Sequence, residues 1–229
     1  MEAGIECIET DIRLSQDGYL TMLHDEHIGR ETDVGEFKGL SAYNPFTDQG
    51  YSPAIKDVNY ADFIEHLHLR DEMGRVTDEQ PPLLEDIIDI IYEEGLNVVL
   101  QLDFKDKAVV EKAYWALKGK TNKAGVSANE WCIYKLQSRW WKTPKEFEAE
   151  PWVQDAFATG IQLAYIPVFR DQDRDEYDQL AALAEFMETN YTISIEVNMR
   201  GIGPDAPGQE LLNFIHGSGS QTFTTTGIL

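Results

Sequence analysis

The stretch Ile5-Glu-Cys-Ile-Glu-Thr-Asp-Ile12, followed by Leu20-Thr-Met-Leu-His-Asp25, decides the reading of this chain. As a strand, the first run sends Glu9 and Asp11 to one face and Ile8, Thr10 and Ile12 to the other, because side chains alternate with a period of two. Asp17-Gly18 predicts a turn, and the returning run carries His24 and Asp25 back toward the same end. Two carboxylates with an imidazole at one end of a strand pair point to a hard metal ion with a proton-transfer group beside it.

Working outward, the stretch after Arg30 is irregular through Gly50, with Gly35, Gly39, Asn44-Pro45 and Gly50-Tyr51-Ser52-Pro53, and predicts an insertion or lid over about 31–75. His66 and His68 share a face there and read as solvent-facing. Pro82-Leu-Leu-Glu-Asp-Ile-Ile-Asp-Ile-Ile-Tyr-Glu-Glu-Gly95 predicts a helix that opens with proline, places Leu84, Ile87, Ile88 and Ile91 on one side and ends at glycine. Leu96–Lys105 predicts a strand with Val99, Gln101, Asp103 and Lys105 on one face and Val98, Leu100, Leu102 and Phe104 on the other. Further strands are predicted at Trp131–Gln137, Ile161–Phe169, Thr192–Asn198 and Thr222–Thr226, with helices at Lys107–Lys118, Asp173–Thr189 and Gln209–His216. Lys135 is a candidate second cation for an anionic substrate, and Glu196 is an inward acid expected to neutralise a lysine or touch the ligand. Trp140, Trp141 and Trp152 read as packing aromatics, with a ledge for an apolar substrate portion as the alternative. Strand and helix alternate throughout, which predicts a parallel α/β fold.

The 229 residues, 42% of them hydrophobic, suffice for one domain with a sizeable core. A formal net charge of -22 argues against nucleic acid or an anionic membrane as a partner. Charges are screened over about 8 Å at physiological salt, so a bound cation and one lysine still set the field in a pocket that takes a phosphodiester. No run is apolar enough to span a bilayer, and Met-Glu-Ala-Gly-Ile-Glu is no secretory signal, although trimming would remove one. Cys7 and Cys132 fall in predicted strands and read as buried thiols.

The ordered set Ile8-Glu9-Thr10-Asp11-Ile12, Asp17-Gly18 and His24-Asp25, with Arg30 six residues after the histidine, resembles the glycerophosphodiester phosphodiesterase family. Its relatives include sphingomyelinase D-like barrels. The start of the predicted helix, Pro82-Leu83-Leu84-Glu85-Asp86, resembles the family's next helix, with Leu83 where the family usually has Thr, and Asp103-Phe104-Lys105 resembles its acid-x-lysine strand. The resemblance implies a TIM-type (β/α)8 barrel, of which about six strands are visible here. It implies one divalent cation, Mg²⁺ or Ca²⁺, on Glu9, Asp11 and Asp103, with Lys105 and Arg30 toward the substrate and His24 as the proton-transfer group. The activity implied is hydrolysis of a glycerophosphodiester to glycerol phosphate and an alcohol. Sphingomyelinase D-like action on choline phospholipids or a lysophospholipid is the variant of it. The family's H-R-G segment, with a second histidine, is absent before Ile5. A fragment, a barrel completed by a partner segment, and a binding protein of reduced activity are the three expectations that follow.

Overall fold

The computed structural model describes residues 6–201, 203, 206 and 208–218. The chain divides into two compact units, Met1–Val98 with Asp103–Gly125, and Val99–Leu102 with Val126–Leu229.

In the first unit, β1 (Cys7–Leu14) turns through Gly18, at φ 87°, into β2 (Leu20–Thr21), and the two pair antiparallel with Arg13 opposite Thr21. The returning strand stops at Thr21 rather than reaching Asp25, because the Met22 N–H is spent on the Pro82 carbonyl at 3.0 Å and Thr21 bridges to Leu83. The stretch that follows contains α1 (Val34–Phe37) and two short 3-10 turns, Ile55–Asp57 and Ile64–His66. It has an apolar core of its own, in which Ile28, Val34, Ile55, Phe63, Ile64 and Leu67 pack together, so the predicted irregularity conceals an organised layer. Asp17 pins it to the turn: its carboxylate accepts from the Tyr60 N–H at 2.8 Å, the Ala61 N–H at 3.1 Å and the Ser15 hydroxyl at 2.6 Å. His66 is exposed as expected, whereas His68 leans on Asp33 with Nδ1 3.3 Å from Oδ2.

Helix α2 (Leu84–Glu94) buries Leu84, Ile88 and Ile91 and ends where Gly95 takes the left-handed conformation. That conformation lets the Gly95 and Leu96 N–H groups close on the last carbonyls. Strand β3 (Val99–Phe104) is shared by both units, and its Leu100, Leu102 and Phe104 are buried on one face as its alternation predicts. Asp106 then caps α3 (Lys107–Leu117) by accepting from the Ala108 N–H at 2.9 Å.

The second unit continues with α4 (Ala128–Trp131), β4 (Cys132–Gln137), α5 (Pro144–Glu148), α6 (Pro151–Thr159), β5 (Ala164–Arg170), α7 (Gln179–Met187), β6 (Glu196–Asn198) and α8 (Gln209–Gly217). The strand order is β2-β1-β3 in the first unit and β3-β4-β5-β6 in the second. Strands β4 and β5 run parallel with Lys135 opposite Ile166, and β5 and β6 run parallel with Val168 opposite Glu196. The described residues thus include six strands of an α/β fold, antiparallel at β1–β2 and parallel from β4 through β6. The segment Thr222–Thr226 lies outside them.

Two expectations are corrected here. Helix α7 begins at Gln179, capped by Asp178, rather than at Asp173, because Asp171–Asp173 is a 3-10 turn with two buried carboxylates. Its inner face is Gln179, Ala182, Leu183 and Phe186; Leu180, Ala184 and Met187 are only half-buried. Cys7 is exposed, at the open end of β1, while Cys132 is buried. The tryptophans take the packing role: Trp141 and Trp152 are 2% and 1% exposed, and Trp152 stacks on Tyr134 at 5.6 Å. Phe147 stacks on Tyr165 at 4.8 Å within the same group. Among the described residues no helix is long and apolar enough to cross a membrane.

Candidate functional site

The alternation of β1 places Cys7, Glu9, Asp11 and Arg13 on one face, with Ile12 fully buried on the other. The Lys105 N–H donates to the Ile12 carbonyl at 3.4 Å, which sets the end of β3 beside β1. That register brings Asp11 and Asp103 to one point. The Lys105 ammonium occupies it, 2.7 Å from Asp11 Oδ1 and 3.1 Å from Asp103 Oδ2, with about a fifth of each of the three side chains exposed. Burial works against the charge on Lys105, but Asp103 and Asp11 together outweigh it and raise the ammonium pKa above its ordinary value. Glu9 stands exposed two residues up the strand.

After β2, the Arg13 guanidinium donates to the His24 carbonyl at 2.8 Å and holds the histidine backbone against β1. The His24 ring lies with Nδ1 2.8 Å from Asp25 Oδ1. Arg30 grips the same carboxylate with both arms of its fork, Nε to Oδ2 at 2.5 Å and Nη2 to Oδ1 at 2.7 Å. The Arg30 hydrogen bonds, opposed by partial burial and helped by His24, hold the Asp25 carboxyl down to about 2. Glu31 completes the loop by accepting the backbone N–H groups of His24 and Asp25, each at 3.2 Å. One ligand atom from each of His24, Asp25 and Glu31 falls within 4.8 Å of the others.

A cavity of about 920 Å³ opens over this arrangement. Thr10, Asp11, His24, Arg30 and Glu31 line one part of its wall. Tyr43, Pro45, Phe46, Arg70 and Met73, from the stretch between 31 and 75, line another. Arg70 braces that wall, donating to the Thr32 and Gly74 carbonyls at 2.9 Å each and pairing with Glu36.

The residues expected to form the site are therefore distributed as follows. Asp11, Asp103 and Lys105 meet directly, and Asp11, His24 and Arg30 share the cavity. Glu9 has the predicted face. Lys135 and Glu196 belong to the second unit, where Lys135 Nζ lies 2.8 Å from Glu196 Oε2 and the lysine is 5% exposed. A buried ammonium is tolerated there because a carboxylate faces it, the mutual neutralisation expected of an inward acid. Two residues of the network carry no role in the sequence reading. Asp25 is visible there only as half of the His-Asp pair, and Glu31 gives no signal beyond its place after Arg30.

The donor set suits a hard divalent cation. Asp11 and Asp103 offer carboxylate oxygens that already converge on a positive charge, and Asp11 faces the cavity.

The sequence model described as the Glycerophosphoryl diester phosphodiesterase family matches residues 1–164. The uncharacterized protein YqiK of Bacillus subtilis is 31% identical over 101 residues, which cover 37% of this chain and 42% of YqiK, so the matched region spans less than half of that relative. Among solved structures, a phosphodiesterase of Oleispira antarctica in complex with the product sn-glycerol-3-phosphate has a TM-score of 0.57 at 15% identity, covering 98% of this chain and 74% of its own. A Silicibacter pomeroyi protein named for glycerophosphoryl diester phosphodiesterase has a TM-score of 0.56 at 16% identity, with the same coverage. At these identities the likeness is one of fold, the TIM-barrel type that the family resemblance implies.

Proposed function

Because the chain belongs to the glycerophosphoryl diester phosphodiesterase family, we propose that it hydrolyses a glycerophosphodiester to glycerol phosphate and an alcohol in the cavity beside β1. The observation that carries this is the meeting of Asp11, Asp103 and Lys105 next to a cavity also lined by His24 and Arg30. Glu9, Asp11 and Asp103 would hold one divalent cation, Mg²⁺ or Ca²⁺, which when bound polarises a phosphoryl oxygen.

The protein's own residues then divide the work. Asp25, kept ionised by Arg30, suits an Nδ1–H of His24 and so leaves Nε2 as the ring atom that exchanges a proton with the substrate. Water adds to phosphorus, the P–O bond to the alcohol breaks as Nε2–H gives its proton to the departing oxygen, and the proton that the water sheds restores Nε2–H. Lys105, held between Asp11 and Asp103, would be the cation that offsets charge on the phosphoryl group. Arg30 stays committed to Asp25 with two of its nitrogens and faces the substrate with its outer edge.

The lysine also supports a second reading, a metal- or phosphate-binding domain without turnover, since its ammonium already satisfies both carboxylates. Incubation with glycerophosphocholine, with and without a chelator, separates the two. The hydrolase reading expects cation-dependent release of sn-glycerol 3-phosphate and a loss of about 10²–10⁴ in kcat for His24→Asn. Cation binding with no release under any divalent metal would overturn it in favour of the second.

A further inference from the structure

His24 is the group proposed to move the proton, yet the sheet does not hold it. Strand β2 ends at Thr21, and the Met22 N–H is spent on the Pro82 carbonyl. Main-chain bonding resumes only where the Glu26 carbonyl accepts from the Ile55 N–H at 2.9 Å and the Ile28 N–H donates to the Pro53 carbonyl at 3.1 Å. Among the described residues the peptide groups of His24 and Asp25 have no main-chain partner. Packing does not fix the ring either, since 57% of the His24 side chain is exposed. A proton donor must nevertheless stand within about 3 Å of the oxygen it serves, so another part of the molecule has to set its place.

Two charged side chains stand in for the missing ladder. Arg13 Nε donates to the His24 carbonyl at 2.8 Å, while the Glu31 carboxylate accepts the His24 N–H on Oε1 and the Asp25 N–H on Oε2, each at 3.2 Å. The histidine backbone is thus held from both sides, and each bond has a charged partner, the stronger class of hydrogen bond. Arg13 is itself fixed in the β1–β2 ladder opposite Thr21, and it shares a strand face with Asp11. Its reach to His24 therefore references the histidine to the strand that carries a candidate cation ligand. Glu31 is tied in turn to Arg30, whose Nη2 lies 3.6 Å from Oε1. The guanidinium that grips Asp25 under the ring also faces the carboxylate that holds the backbone.

We propose that Arg13 and Glu31 are positioning residues for the proton transfer, acting through His24 by fixing its backbone rather than by contact with the reacting atoms. This rests on the hydrolase reading above and adds two residues to its machinery. What Arg13 contributes is the place of an N–H, not its charge. A glutamine carries its amide nitrogen as many bonds from Cα as an arginine carries Nε, so Arg13→Gln keeps a donor at the same reach, whereas Arg13→Met keeps the bulk without one. Glu31 uses both of its oxygens. Glu31→Gln can therefore satisfy only one of the two N–H groups and turns a donor toward the other.

The test measures kcat on two diesters: glycerophosphocholine, whose departing alkoxide needs a proton, and the 4-nitrophenyl ester of glycerol phosphate, whose departing phenolate does not. In Arg13→Met and in Glu31→Gln, kcat for glycerophosphocholine should fall about 10- to 100-fold, the scale of a misplacement of about 1 Å. For the nitrophenyl ester the fall should stay below about threefold. Arg13→Gln should recover most of the loss. In a His24→Asn background Arg13→Met should cost nothing further, because its effect passes through the ring that is gone. Rates are taken below the unfolding transition of each variant, found by calorimetry, so that lost fold is not counted as lost turnover. Should Arg13→Met not fold, Glu31→Gln carries the same comparison of esters and the same background. Equal losses on the two esters, an Arg13→Gln no better than Arg13→Met, or losses that multiply with His24→Asn would each overturn the proposal and leave the hydrolase standing. A parent protein that hydrolyses neither ester sinks the hydrolase reading, and the proposal with it.

Discussion

Replacing Lys105 by Met tests the centre of the site, because it removes the charge that both Asp11 and Asp103 contact and nearly preserves the length of the side chain. The Asp11 and Asp103 carboxylates would then face each other with about a fifth of each side chain exposed. Stripping a partner from a buried ion pair costs about 3–5 kcal/mol. The residual exposure puts this case near the lower end, about 3 kcal/mol. In a chain of this size each kcal/mol moves Tm by roughly 2–4 °C, so the expected fall is about 6–12 °C. A divalent cation should reverse it. At a concentration of about 100 Kd a bound ligand returns about 2.7 kcal/mol, and in the variant it no longer has to displace an ammonium. Calorimetric scans with and without millimolar Mg²⁺ or Ca²⁺ should therefore show a larger cation-induced rise in Lys105→Met than in the parent, while hydrolysis of glycerophosphocholine is lost. Because the folded-state pKa of Lys105 is raised above 10.5, its contribution is fully present below that value and disappears only as pH rises beyond it. The difference between parent and variant should thus be constant from about pH 7 to about pH 9. A cation-induced rise equal in the two proteins, or a Tm unchanged by the substitution, would show that the lysine does not bridge the carboxylates and would refute the shared cation site.

Other substitutions follow from the same geometry. Asp103→Asn should weaken divalent-cation affinity in a calorimetric titration; an unchanged affinity removes Asp103 from the ligand set. In Arg30→Met the Asp25 carboxyl, now held down to about 2, should move back toward the ordinary carboxylate range. Its contribution to stability is present above about 3.8 and lost as pH falls through about 2, so the variant should lose its acid stability at higher pH than the parent, by about 1 kcal/mol after screening at these partly exposed side chains. Acid unfolding curves that superimpose would contradict that. Asp17→Ala breaks the contacts to Ser15, Tyr60 and Ala61 and should cost about 1 kcal/mol, seen as faster protease cleavage between residues 31 and 80. Trp152→Ala, at a site 1% exposed, should cost about 3–5 kcal/mol by leaving a cavity, measured by chemical denaturation.

The legible parts of the fold are those in which one face is buried. Strand β3 has its polar and apolar residues on the predicted faces, and α2 ends on Gly95 as the sequence states, because alternation and a left-handed glycine are local properties. Helices α5 and α6 are missing from the sequence reading although each carries its own start signal. Thr143-Pro144-Lys-Glu146 is a capping sequence in which Thr143 accepts from the Glu146 N–H at 3.2 Å, and Pro151 opens α6 before Gly160 ends it. The abundance of lysine and glutamate masks those signals. The tryptophans point the same way: their spacing is compatible with a ledge or a core, and only the packing of Phe147 between Trp152 and Tyr165 selects the core.

The candidate site divides along a similar line. Glu9 with Asp11, and Asp103 with Lys105, are pairs two residues apart on a strand, so each pair is readable from period two alone. What links one pair to the other is the register of β3 beside β1, set by the bond from the Lys105 N–H to the Ile12 carbonyl. No local pattern encodes that register. It matters because it gives Lys105 two acids where the strand by itself offers one, and so makes the same ammonium a competitor for the place a divalent cation would take. Under the proposed assignment a divalent cation would compete with Lys105 for the same Asp11 and Asp103 oxygens, so cation affinity and the placement of that ammonium would be linked. The carboxylates and the lysine are in that sense a single element, and a substitution at any of them should alter cation affinity and turnover together.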